Sequence, residues 1–351
     1  MVRITGNFQQ ERVLHPAATS LLSELFSKGW PDPTKLNNQS RQTALLLQQA
    51  KESFAKQLNV RTDEIEFLGE TDLGFQIGIQ GLLTKESKFY YSAIDRQKVF
   101  AIAAVEDKAG RDLTILPVND QGVIQEGSVS ESDLLIWQVA NGETGNIQKA
   151  PTSKCQIFAD CTSSGIDHLP DFEYQSALFD STSWAGPSGV GVLVIKSNSK
   201  WRNPLPHNDL TRVPNSYSLA LVLASAVAIE NYAVQIDIRL KLKKFILDFI
   251  AEQIDDVDIA SNIGGLSKNI SISIKGIEAD RLLLALEDSG YAVDSGSACK
   301  SADMQPSHVL AAMNRPITGN IRLTLHKEMT EETVKDFCQA LKSNVLKLRK
   351  S

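Results

Sequence analysis

CQIFADCTSSGIDHLPDFEYQSALFDSTSWAGPSGVGVLVI, residues 155–195, holds three short β-rich runs: CQIFAD (155–160), SALFDST (176–182) and GVGVLVI (189–195). Working outward towards the N-terminus, EIEFLG (64–69), SKFYYSA (87–93), DLTILPV (112–118) and DLLIWQVA (133–140) have the same character, and helical stretches separate several of them. NNQSRQTALLLQQAKESFAK (38–57) reads as an amphipathic helix. Strands alternating with helices over most of a chain predict a mainly parallel sheet covered on both faces, an α/β fold.

Towards the C-terminus the pattern changes. KSNSKWRNPLPHNDLT (196–211) reads as a surface loop, and residues 215–254, mostly free of Gly and Pro, as a long connecting helix. NISISIKG (269–276), a helix over 278–288, a loop over 294–305, a helix over 306–313, NIRLTLH (320–326) and a helix over 330–348 predict a small α+β domain. The expected organisation is a large α/β domain over 1–214 that includes the N-terminal segment, a connecting helix over 215–254, and a C-terminal domain over 255–351 carrying the loop of Cys299. No internal repeat or low-complexity tract interrupts it.

Composition narrows the function classes. The chain has 351 residues, 42% hydrophobic and 22% charged, enough to build a core without disulfides or metals. A net charge of −6 argues against nucleic acid or an anionic membrane as the main partner. Cys155, Cys161, Cys299 and Cys338 form no CxxC pair and no zinc-type spacing with histidine, so no metal site is expected and a reducing compartment is. The N-terminus has no apolar core of signal-peptide length, and no stretch approaches the roughly 20 apolar residues of a membrane span. A soluble cytoplasmic protein is expected.

Four stretches carry a resemblance. VLHPAATS (13–20) is similar to an opening Asp-Asn-Ala-Ala-Thr-Thr segment. IFADCTS (157–163) follows the pattern of a strand ending in an aspartate. FDSTSWAGPSGVGVLVIK (179–196) matches a strand–turn–strand with a His-Lys pair ahead of Gly-Pro-x-Gly-x-Gly, and VDSGSACKSADMQPSHVLAAMN (293–314) is very similar to a loop with a sulfur-accepting cysteine. In this order and spacing the chain resembles the cysteine desulfurases of the class-V aminotransferase family, which use pyridoxal 5'-phosphate (PLP), from about residue 13 to 348. The resemblance implies the aminotransferase-like fold of PLP-dependent transferases, with a mostly parallel seven-stranded sheet and a small C-terminal α+β domain. It also implies a homodimer with shared active sites, and sulfur transfer of the kind that feeds iron–sulfur cluster assembly, from L-cysteine to an acceptor protein.

Residue by residue, it places Asp160 at the cofactor ring nitrogen, where a carboxylate keeps the ring protonated and strengthens the electron sink. Taken as a residue alone, Asp160 also reads as a strand-end aspartate capping a turn, and the alignment favours the cofactor position. Cys299, in the small-residue loop SGSACKS, takes the position of the persulfide-forming nucleophile, and Arg322 that of the substrate-carboxylate fork. Asn141, in ANGETGNIQ, is either a ring-oxygen partner or an ordinary Asn/Gly turn. The departures fall together. The family's His-Lys pair aligns with Thr182 and Ser183, and a serine cannot form the imine that a lysine forms. The ring-stacking histidine aligns with Arg96 and a cofactor glutamine with Ser163. The phosphate turn aligns with Glu70, Thr71 and Asp72, where a one-residue gap would put Thr71 at the phosphate, and two further phosphate hydroxyls align with Asp180 and Pro214. Carboxylates there repel a phosphate, and proline offers it no donor.

Two functions follow. The first is a PLP-dependent cysteine desulfurase working through a Cys299 persulfide. The second is a degenerate homologue acting as a binding or regulatory subunit, in a homodimer or in a mixed dimer with an active homologue. An open cofactor pocket lined by donors favours the first; a pocket filled by Arg96 or Trp184 favours the second.

Overall fold

The computed structural model describes residues 6–10, 13–27, 30–208, 212–233, 236–295 and 306–350. The seven β-rich runs read between residues 64 and 195 form strands of one sheet, in the order Ile65–Leu68, Gly191–Ile195, Ser176–Asp180, Gln156–Asp160, Leu134–Gln138, Phe89–Ser92, Leu113–Leu116. Gly191–Ile195 runs antiparallel to both neighbours and every other pairing is parallel. The central strands are apolar on both sides because both faces are covered. Ala177, Phe179, Val192 and Val194 enter one core with Phe54, Phe67 and Ala224, whereas Leu178, Leu193 and Phe158 enter another with Phe75 and Ile79.

Helix Thr71–Gln80 lies close against the sheet because it carries glycine at two contact points. A Cβ on Gly74 would fall 2.4 Å from Leu178 Cδ1, and one on Gly78 2.3 Å from Phe158 Cε2. The N-terminus of this helix is thereby fixed beside the carboxyl ends of Ser176–Asp180 and Gln156–Asp160. In parallel sheets that edge is where ligands are met.

The C-terminal part builds a four-stranded antiparallel sheet, Asp294–Ser295, Asn320–Thr324, Asn269–Ile274, Val257–Ile259. Ile270, Ile272, Ile274 and Ile321 bury one face of it with Ile246, Leu282 and Phe337. Two expectations are corrected. The connecting helix over 215–254 is two helices, Leu219–Asn231 and Ile236–Gln253. Ser218 caps the first, and the chain leaves helical geometry at Tyr232 (ψ 112°), whose hydroxyl is drawn to Asp167 instead. Residues 6–8, grouped by sequence with the large domain, join the C-terminal core, whereas helix Pro16–Leu25 packs through Ala18, Leu22 and Leu25 into the core of Phe54 and Ala224 as expected. Gly6–Asn7 pairs in parallel with Tyr291–Ala292, and the Phe8 ring packs 4.3 Å from that of Phe337. Burial of an aromatic ring outweighs sequence proximity here.

Candidate active site

A cavity of about 860 Å³ opens between the carboxyl edge of the large sheet and the C-terminal sheet. Thr182, Ser183, Arg96, Asn141, Ser163 and Arg322 line it, so the structure brings together most of the residues singled out from sequence. Thr71 and Asp160 are not among its walls. Thr71 packs under Gly191, whose absent Cβ would lie 3.2 Å from the Thr71 Cα. Cys299 lies outside the described residues, as do Lys300 and the rest of 296–305.

Asp160 ends its strand in the expected place but faces the protein. Its Oδ1 accepts from the Thr162 backbone N (2.9 Å) and Oγ1 (2.5 Å), the turn cap that a strand-end aspartate makes. Its Oδ2 accepts from Arg96 Nε at 3.1 Å, and Arg96 Nη2 donates to Ser163 Oγ at 2.6 Å. The Asp160 side chain is 3% exposed and that of Arg96 40%, so the guanidinium forms the cavity wall and the carboxylate lies behind it. Arg96 is the N-cap residue of helix Gln97–Lys108 and leaves the helix with extended backbone, which aims its side chain across the sheet edge. Trp184, the other side chain able to fill the pocket, points away. It is fully buried, stacks edge-on near Phe54, and donates from Nε1 to Ser225 Oγ.

Ser183 sits in a single 3-10 turn, Ser181–Trp184. Its Oγ donates to the Asp180 carbonyl at 2.7 Å, and Gly165 closes over it, with φ +53° and no room for a Cβ. The Asp180 carboxylate is taken up by Thr182 N (2.8 Å) and Oγ1 (2.6 Å). Asn141 organises its own turn. Its Oδ1 accepts from Glu143 N and Thr144 N, both at 2.9 Å, and its Nδ2 donates to Ile94 O (3.2 Å) and Gln138 Oε1 (2.9 Å). Arg322 Nη2 donates to Ser295 O at 2.7 Å, at the edge of the segment that leads to Cys299. Lys196 is committed elsewhere, to Glu64 at 2.9 Å.

Sequence reasoning missed several groups: Asp95, Lys268 and Arg239 belong to no motif, and His308 lies inside the 293–314 stretch without a role having been read for it. Asp95, next to Arg96, is buried and its Oδ2 accepts from Ser92 N at 2.7 Å. His308 Nε2 donates to the Asp95 carbonyl (2.8 Å) and its Nδ1 lies 3.0 Å from Gln97 Nε2, contacts that tie helix His308–Ala312 to the Arg96 loop. Deeper in, Lys268 and Arg239 converge on Asp167. Among the described residues no group of three or more His, Cys, Asp or Glu could hold a metal ion. Burial pushes the Cys155 and Cys338 thiols up to about 12 and raises Cys161 well above the ordinary thiol value, so these three thiols stay protonated and unreactive.

Burial pushes Asp95 up to about 8; the Ser92 N–H and Arg96 pull it down, and the Asp160 charge pushes it up. An acid raised from 3.8 binds its proton more tightly in the folded state. Its stabilising contribution is therefore complete below the ordinary value and is lost as pH rises through about 8. Asp95→Asn, whose amide oxygen still accepts from Ser92 N, is expected to lose this pH dependence. Urea midpoints at mildly acid and mildly alkaline pH check it: the wild type falls further than the variant, and an equal fall in both contradicts the assignment.

The residues present do not fit PLP held as the family holds it. There is no amine at position 183. Both oxygens of Asp160, which the resemblance sets at the ring nitrogen, are engaged, one of them by the Arg96 cation. At the phosphate turn, Glu70 caps helix Thr71–Gln80 by accepting from Asp72 N at 3.1 Å, consuming a donor that an anion would need.

The chain matches the family model Aminotransferase class-V over residues 33–337 and belongs to that family. Within it, the similarity is to cysteine desulfurases. It is 26% identical to "Cysteine desulfurase IscS" of Dictyoglomus turgidum, covering 95% of this chain and 94% of that one, and 24% identical to "Cysteine desulfurase" of Nostoc sp., covering 91% and 86%. Solved structures agree on the fold. A "NIFS-LIKE PROTEIN" superposes with a TM-score of 0.83 at 20% identity over 98% of this chain and 99% of that one. The cysteine desulfurase CsdA of Escherichia coli superposes with a TM-score of 0.78 at 16% identity over 97% and 95%. The expected fold and family are both borne out. No helix among the described residues is long and apolar enough to cross a membrane.

Proposed function

We propose that this chain is a cysteine desulfurase homologue that no longer runs the cofactor reaction and serves cytoplasmic sulfur transfer as a binding or regulatory subunit. One observation carries the reading: Arg96 occupies Asp160 and Ser163, in a cavity whose lysine position is Ser183. The scaffold around the cavity is intact, with Arg322 still on its wall, so a ligand can be bound without being processed. In a family whose active sites are shared between subunits, such a chain acts by completing or restraining the site of a partner, either a second copy or an intact homologue.

A second reading keeps the family activity, with sulfur passing from L-cysteine through a Cys299 persulfide to an acceptor protein. It is favoured by the tie between Arg322 and Ser295, which holds the substrate-carboxylate position beside the cysteine segment. Purified protein separates the two. The subunit reading expects no bound cofactor, no sulfide from L-cysteine, and co-purification with an intact desulfurase chain when the two are co-expressed. Sulfide release that is lost in Cys299→Ser overturns it in favour of the second reading.

A further inference from the structure

We propose that Lys268 is a carbonyl-reactive amine of this cavity, placed to form a reversible imine with a small 2-oxo acid. Lys268 lines the same cavity as Ser183, Tyr232, Arg239 and Arg322, with a side chain 19% exposed. Its backbone is fixed on all sides. The Lys268 carbonyl accepts from Leu325 N (2.8 Å), Leu266 N donates to Gly145 O (2.7 Å), and the buried Lys243 ammonium holds Leu266 O (3.0 Å). Asn269 Nδ2 adds a bond to Gly142 O (3.2 Å). The constrained segment roots the side chain at a fixed point of the cavity wall, and the contact with Asp167 at 3.8 Å sets the direction of its amine.

The charged groups around it leave Lys268 the weaker partner of a shared carboxylate. Asp167 takes Arg239 Nη2 at 3.2 and 3.3 Å and the Tyr232 hydroxyl at 3.1 Å, while Lys268 Nζ stands 3.8 Å away. Burial lowers the Lys268 value, Asp167 raises it, Arg239 lowers it and Asp180 raises it, and the net direction is down, towards the free amine. A desolvated lysine beside another cation is the arrangement that activates an amine for imine formation. The ligand class follows from the walls: a carbonyl carbon for the amine, and a carboxylate for the Arg322 fork.

The step balances without any further reactant. The unprotonated Nζ lone pair forms the C–N bond as the C=O π pair moves to oxygen. Both amine hydrogens then leave with that oxygen as water, and the C=N bond closes. Nothing is oxidised or reduced, and water addition reverses it.

The test is reductive trapping on the full-length chain with pyruvate or glyoxylate and cyanoborohydride, followed by peptide mass mapping. The expected result is an adduct concentrated at Lys268 and at least tenfold lower on that peptide in Lys268→Arg, which keeps the charge and the contact with Asp167. Lys244→Met, altered at an exposed lysine that does not line the cavity, is expected to keep the adduct, with folding of each variant checked by circular dichroism. Adducts spread over surface lysines with no enrichment at Lys268, or an unchanged yield at that peptide in Lys268→Arg, overturn the proposal. Sulfide release reads the subunit proposal separately, so either can fail alone.

Discussion

Ser183→Lys combined with Arg96→Ala is expected to retain PLP covalently at position 183 after borohydride treatment, at a yield at least tenfold above either single variant. Each change removes a different obstacle. Ser183→Lys supplies the amine, and Ser183 lines the cavity, into which a longer side chain can extend away from Gly165. The amine alone finds Asp160 Oδ2 already neutralised by Arg96. Arg96→Ala alone frees that carboxylate but gives the cofactor nothing to attach to. Because the two obstacles act on one bound molecule, their removal is strongly non-additive. The measurement is peptide mass mapping of the reduced adduct, which distinguishes position 183 from Lys268 or any other lysine. Equal yields in Ser183→Lys and in the double variant would show that Arg96 does not close the ring position. The acidic phosphate turn caps the gain, because Glu70 and Asp72 are untouched by either change, and Asp72 keeps its ion pair with Lys98 at 3.2 Å.

Much of this architecture is legible in the sequence, for a physical reason. The central strands of the large sheet are short apolar runs, and burial on both faces leaves them little else to be. Asp160 and Ser183 are found by their distance from strand ends and from Gly186-Pro187, since turns fix such spacings locally. What the sequence conceals is side-chain capture over long separations. Arg96 could be placed opposite the cofactor ring by alignment, but its choice of Asp160, 64 positions away, depends on the extended backbone at the start of its helix. The break at Tyr232 is hidden in the same way, because residues 215–254 carry no proline to mark it and Asp167 reaches that hydroxyl only once the chain is folded. Lys268 has no motif at all. It becomes visible only when the C-terminal sheet closes over the loop holding Asp167.

That loop carries the second large effect. Arg239→Met is expected to cost about 3 kcal/mol of unfolding free energy, measured from urea denaturation. The Arg239 and Asp167 side chains are only 9% and 5% exposed, so removing the guanidinium leaves a desolvated carboxylate. Breaking a buried pair from one side costs about 3–5 kcal/mol, and Lys268, 3.8 Å from Asp167, holds the loss to the low end by taking over part of the neutralisation. Arg239→Met with Asp167→Leu is expected to recover much of that loss, since an apolar pair of similar size avoids the cost of burying two charges. A double variant no more stable than Arg239→Met would place the loss in the methylene packing of Arg239 instead of in the stranded charge. The same variants bear on Lys268. With Arg239 gone, Asp167 is left to the ammonium alone, the amine is held protonated more firmly, and trapping by 2-oxo acids at a fixed neutral pH falls. With both Arg239 and Asp167 made apolar, Lys268 keeps burial as the dominant influence, its proton is released more readily, and trapping rises above that of Arg239→Met.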